Sequence, residues 1–200
     1  MDLIDFGPAT ATMRRLVLGT SDDQLTDPTP CADYAVGDLI HHIGGLTLAF
    51  TGAAHKRPVP GSEQGGTGDA SQLETGWRLL IARDLEVLAD SWRNPAAYEG
   101  RTMAGPVELP GGEAAMVALN EVVVHAWDLA VATGQPYTVD PASLQICTEF
   151  AEAFSTPETA DQRGDAFGTV IEVPDDAPPL DRLLGLMGRR ASWRAPQSVA

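Results

Sequence analysis

The segment from Glu113 to Thr133 constrains the fold most, because it reads as a helix that is apolar almost all round. Such a helix must be surrounded by others to escape water. An α-helix advances about 100° per residue, so with Glu121 as zero, His125 falls near 40°, Asp128 near 340° and Ala132 near 20°. Leu119, Val123, Trp127 and Val131 cover the opposite side, and Val122, Val124 and Leu129 flank the stripe. A stripe facing solvent would carry lysines or further charges. Glu121, His125 and Asp128 beside an alanine instead imply a polar line turned inward. Gly134 supplies the helix stop.

Partners for this helix are legible on both sides of it. Leu3, Phe6, Ala9, Met13, Leu16 and Val17 recur at helical spacing before Gly19. A polar, proline-bearing connection over 20–35 precedes a second helix from about Val36 into the early fifties. Leu73, Trp77, Leu80, Ile81, Leu85, Leu88 and Trp92 define a third. Between these two, 56–69 is rich in Gly and Pro and reads as the clearest mobile loop. Residues 94–112 interrupt helicity, with 106–109 extended. Asp140-Pro141 is an N-cap followed by a first-turn proline, opening a fifth helix through Ile146, Phe150 and Phe154. A short helix near Leu180–Met187 closes the pattern.

The expected fold is therefore all-α: an antiparallel four-helix bundle with an additional C-terminal helix and a short tail. We read residues 1–200 as one domain, with the core bundle over about 1–135 and the C-terminal helices and tail over about 136–200. A chain of 200 residues suffices for a sizeable core.

Composition narrows the function. Lys+Arg 13 against Asp+Glu 28 leave a formal net charge of −15, a field that repels phosphate backbones. No nucleic-acid partner is expected. No apolar run is read as reaching the roughly 20 residues of a membrane span, and the acidic N-terminus lacks the basic start of a signal peptide. No membrane partner is expected, and the localisation expected is cytoplasmic. Cys31 and Cys147 are too few for a disulfide framework or a cysteine-based zinc ribbon and are read as free, packed thiols. Cys31, lying near the start of the second helix, also has the option of reactivity.

Glu121 and His125, four residues apart, lie on one face and converge on one point. A divalent metal is one reason to build such a pair, and it calls for a third ligand. On the second helix Val36, Leu39, Ile40, Ile43 and Phe50 share a direction. His42 lies roughly 100° from it, at the border of the buried face, while His41 lies roughly 160° away and points to solvent. His55 sits at the entrance to the loop. His42, Glu121 and His125 form a His₂Glu set that leaves positions for water or substrate. Zinc suits it best, with nickel, iron and manganese chemically possible. Asp128 either accepts an imidazole N–H behind the ligands or pairs with an arginine. Arg78 and Arg83 could meet an anionic group, though surface ion pairs are their ordinary use.

The stretch Thr29-Pro30-Cys31-Ala32-Asp33-Tyr34-Ala35-Val36-Gly37-Asp38-Leu39-Ile40-His41-His42-Ile43-Gly44-Gly45 resembles the N-terminal signature of actinobacterial DinB-like proteins. These are related to the N-terminal domain of mycothiol-dependent maleylpyruvate isomerase. The signature's histidine falls on His42. Glu121 to Ala130 resembles a second signature, E-x-x-x-H-x-W-D-L-A, and Asp181 to Arg189 a third, R-L-L-x-x-x-G-R. Leu109-Pro110-Gly111 also fits. Tyr34 departs from the family's tryptophan, and the extra C-terminal domain of the isomerases is not expected, so their isomerase activity is not carried over. The resemblance implies a DinB-like bundle with a His-Glu-His metal site.

It further implies a metal that binds a low-molecular-weight thiol of the mycothiol type, used for S-transfer or isomerisation. The loops over 56–69 and 94–112 would admit an electrophilic small-molecule substrate. The alternatives are a metal-dependent hydrolase and a non-catalytic metal-containing protein that binds a ligand or partner. A homodimer is compatible with the pattern. No catalytic side chain beyond the ligands is identified by sequence.

Overall fold

The structure, a computed structural model, describes residues 3–57, 66–156 and 168–195. Its elements are α1 (Gly7–Gly19), α2 (Val36–Ala54), α3 (Trp77–Ser91), the strands β1 (Arg101–Ala104) and β2 (Val107–Pro110), α4 (Gly111–Thr133), α5 (Pro141–Ala153) and α6 (Pro179–Leu186). Much of the loop expected over 56–69 lies outside the described residues.

Contacts fix the direction of each helix. Phe6 stacks on Trp92, Arg14 pairs with Glu86, and Thr20 accepts a hydrogen bond from Arg78, so α1 and α3 run antiparallel. Gly44 lies against Ile81, and His55 Nε2 is 3.0 Å from Ser91 Oγ, so α2 and α3 run parallel. His42 meets His125 near the middle of α4, and Thr102 at the α4 entrance donates to Ala53 at the α2 exit. Those two helices are therefore antiparallel. The bundle runs up, down, down, up, with long crossings joining α1 to α2 and α2 to α3.

The core follows the apolar stripes. Leu16 and Val17 from α1, Leu39 and Ile40 from α2, Leu85 and Leu88 from α3, and Leu119 and Leu129 from α4 are all fully buried. Each such side chain stabilises the fold by about 1.5–3 kcal/mol relative to exposure. α5 packs on α4, and α6 packs on α5. Asp140 caps α5 by accepting the Ser143 backbone N–H at 2.8 Å, as its sequence implies. α4 ends where Gly134 turns left-handed at φ 67°.

Two expectations need correction. The 94–112 region holds a two-stranded antiparallel hairpin pairing Arg101–Ala104 with Val107–Pro110, so only part of it was anticipated as extended. And α4 is long and apolar enough to cross a membrane by length and composition, contrary to the reading that no run reaches that length. Most of its surface is buried in the bundle core, which accounts for its apolarity.

Candidate metal centre

Glu121, His125 and Asp128 share one face of α4, and His125 is held from both of its nitrogens. Nε2 lies 3.0 Å from Glu121 Oε2, and Nδ1 lies 3.0 Å from Asp128 Oδ2. Burial pulls the His125 pKa down, but the hydrogen bonds with Asp128, Cys31 and Glu121 outweigh it. The net value is well above 6.5. Burial likewise pushes Glu121 and Asp128 up; contacts with His125 win for Glu121, and the Arg189 charge with His125 wins for Asp128. Both carboxyls end below their ordinary range.

His42 approaches from α2. Its ring meets that of His125 edge to face, with centroids 4.9 Å apart. Its Nδ1 gives its proton to the Gly66 carbonyl, so Nε2 carries the lone pair that a metal would take. Burial, reinforced by His125, lowers its pKa to about 4 despite Glu121 nearby. It is thus a neutral imidazole at neutral pH, the form a metal needs. One donor atom each from His42, Glu121 and His125 lies within 4.8 Å of the others. Metal bonds of roughly 2.0–2.2 Å in a tetrahedron place ligands about 3.3–3.6 Å apart, so Glu121 and His125, 3.0 Å apart, would open slightly around an ion. Two imidazoles and a carboxylate, each imidazole fixed at its remote nitrogen, suit zinc and its neighbours.

The segment after residue 65 is laid along α2 by short polar contacts. Asp38 accepts the Ala70 N–H at 2.8 Å, and the Tyr34 hydroxyl accepts the Gly68 N–H at 3.1 Å. Tyr34, where the family signature has tryptophan, gives this segment a hydroxyl anchor. Gly66 has no room for a side chain: a Cβ would stand 2.9 Å from His42 Nδ1. His41 is not turned simply to solvent as expected. It is half-buried, with Nδ1 3.2 Å from both the Thr67 carbonyl and the Asp69 amide. Helical phase puts the two histidines on different sides of α2 but does not foresee the segment that covers His41.

The far side of His125 holds a second group. Asp128, with no exposed surface, accepts from Arg189 Nη2 at 3.1 Å and from Cys31 Sγ at 3.2 Å. Arg189 Nη2 also lies 3.4 Å from Cys31 Sγ. Of the two uses foreseen for Asp128, imidazole acceptor and arginine partner, it performs both. Cys31 departs from the reading as a packed thiol: it is half-buried and faces three polar groups of the site. Cys147 conforms, being fully buried with its thiol pushed up by desolvation.

Arg189 and Cys31 were the residues that pattern did not assign to the site. Both belong to quoted signatures, but neither lies on a periodic face that would have pointed it inward. Arg78 and Arg83 pair with Asp22 and Asp84 instead. His55 contacts Ser91. The hairpin packs at the α2 exit, and at 1.5 Å per residue Ala53 stands about 16 Å along the helix from His42. It therefore does not border the donor atoms. A narrow cleft does reach Glu121 and His125, and Met13, Ile43, Leu46, Phe50, Leu88 and Val122 make its walls apolar.

Two histidines and a glutamate thus face one another from two helices of a bundle. Residues 6–130 match the mycothiol maleylpyruvate isomerase N-terminal domain, and the chain belongs to that family. Two uncharacterised proteins of Mycobacterium tuberculosis, from strains CDC 1551 / Oshkosh and H37Rv, are each 32% identical over 181 residues. The alignments span 87% of this chain and 90% of theirs. Crystal structures of the mycothiol-dependent maleylpyruvate isomerase and of a point mutant share the fold at TM-score 0.56, with 15% and 16% identity. The match covers 82% of this chain and 72% of each of those.

Proposed function

We propose that this chain is a metal-dependent enzyme that uses a low-molecular-weight thiol of the mycothiol type for S-transfer or isomerisation of a small electrophile. The observation that carries the reading is the convergence of His42, Glu121 and His125 within 4.8 Å. Family membership supports the thiol, since the solved neighbour of the same fold is a mycothiol-dependent isomerase.

In this reading His42, Glu121 and His125 hold one divalent ion, zinc in the first instance, with nickel, iron or manganese as substitutes. Such an ion lowers the pKa of a thiol placed in its remaining position, supplying a nucleophile at neutral pH. Asp128 keeps the His125 Nδ1 proton in place, so that Nε2 is presented toward Glu121. Gly66 does the same for His42 through its carbonyl. The apolar cleft excludes water from the Glu121 side and receives the carbon skeleton of the electrophile. The bundle and its C-terminal helices act as one domain in this proposal.

The test is zinc-loaded protein mixed with mycothiol and a chromogenic electrophile. Adduct formation that needs zinc, mycothiol and His125 together is expected. Ester or amide turnover without any thiol would replace this reading with a hydrolase, and absence of thiol binding by calorimetry would defeat it.

A further inference from the structure

A histidine serves a metal only when its lone pair sits on the nitrogen that faces the ion, and the hydrogen bond at the other nitrogen decides this. For His42 that bond goes to a backbone carbonyl, that of Gly66, and not to a side chain. A carbonyl on a connecting segment is a firm partner only where the segment itself is fixed.

Residues 66–70 form a strap that meets α2 backbone to backbone. A Cβ on Gly68 would stand 2.5 Å from the Asp38 carbonyl oxygen and 3.0 Å from Tyr34 Cε1, so glycine permits the approach. Asp38 and Tyr34 then tie the strap down. Asp38 holds the far end, taking the Ala35 N–H at 3.0 Å on one oxygen and the Ala70 N–H at 2.8 Å on the other. Tyr34 holds the end beside His42. Its hydroxyl accepts the Gly68 N–H at 3.1 Å and donates to the Gly66 carbonyl oxygen at 3.4 Å. That oxygen takes Tyr34 on one lone pair and His42 Nδ1 on the other.

Tyr34 is held in its turn. The buried Thr29 hydroxyl donates to the Tyr34 carbonyl at 2.7 Å, and the Tyr34 N–H donates to the Cys31 carbonyl at 2.9 Å. Its ring lies beside that of His42, with centroids 5.3 Å apart.

We propose that Tyr34 is a positioning residue for the metal centre. Through its hydroxyl it keeps the Gly66 carbonyl against His42 Nδ1, so that the lone pair stays on Nε2. Tyr34 acts through the strap and supplies no donor to the ion, and the inference rests on the reading of His42 as a ligand. Phenylalanine in its place keeps the ring and loses the clamp.

The experiment compares the full chain with Tyr34→Phe. Long-range proton–nitrogen NMR of histidine-labelled, chelated protein at neutral pH reads the His42 tautomer, with His42→Gln supplying the assignment. The parent should show a single Nδ1–H tautomer, and Tyr34→Phe a mixture of the two, with His55 and His125 unmoved. Zinc titration by calorimetry should give a Kd raised about fivefold, below the roughly tenfold that loss of a direct outer partner costs. An unchanged tautomer or an unchanged Kd in Tyr34→Phe would overturn the proposal, whatever the change in thermal stability. Should Tyr34→Phe not fold, hydrogen exchange of the parent's Gly68 amide decides: slow exchange is expected, and exchange as fast as in the unfolded chain would overturn it. A parent that binds no zinc defeats the metal-dependent reading, and the tautomer of the chelated protein then decides alone whether Tyr34 orients His42.

Discussion

The two sides of the His125 ring are built to opposite rules. Toward Nε2 lie Glu121 and His42, partly open, with donor atoms near one another but not closed on a common partner. Toward Nδ1 lie Asp128 and Arg189, an ion pair sealed in the core, with Cys31 beside it. One side is incomplete in the way a binding site is, and the other is nearly complete in the way a support is. A ring held rigidly from behind can present its front nitrogen without reorganising.

Four changes would break or sharpen that contrast. The largest effect belongs to His125→Ala, which removes the residue both sides share. Zinc affinity should fall beyond detection by calorimetry, while circular dichroism keeps the helical signal. Next, Asp128→Asn strips the support and leaves Arg189 as a buried, unpaired cation. Urea unfolding should show a loss of about 3 kcal/mol, and zinc affinity should drop about 10–100-fold. That the acid-induced loss of stability shrinks in this variant is a further expectation. Asp128 has a folded pKa below its unfolded value. Its contribution is therefore present above the ordinary carboxylate pKa and vanishes as pH falls through the folded one.

Gly66→Ala acts on the open side alone. The added Cβ would stand 2.9 Å from His42 Nδ1, so the ring must move. Zinc affinity should weaken about tenfold, as when an outer partner of a ligand is lost, with thermal stability little altered. The smallest effect is His42→Gln in chelated protein. The neutral His42 is favoured on folding, with its pKa lowered from 6.5 to about 4. Unfolded chains take up its proton first, so its share of stability is lost as pH falls from 6.5 toward 4. Urea midpoints measured across that range should fall less steeply in the variant than in the parent.

The contrast also explains what the sequence made legible. The open side rests on helical phase: Glu121 and His125 are one turn apart, and His42 was separated from His41 by its angle to Leu39 and Ile43. Asp140 at the start of α5 and Gly134 at the end of α4 were readable for the same reason, since caps act within a few residues. The support behind His125 was less legible. Cys31 lies in the loop before α2, and Arg189 lies beyond α6, so only the long-range fold brings them to Asp128. The first strand is not legible because four residues, Arg101 to Ala104, carry too little alternation to stand out. The up, down, down, up order of the helices is likewise set by crossings that periodicity does not describe.

The claim that the open side is a metal centre is tested most directly by calorimetric zinc titration of the parent, His42→Ala and His41→Ala side by side. One ion per chain is predicted for the parent and for His41→Ala, with binding lost in His42→Ala. Undiminished binding in His42→Ala, or its loss in His41→Ala, would contradict the account.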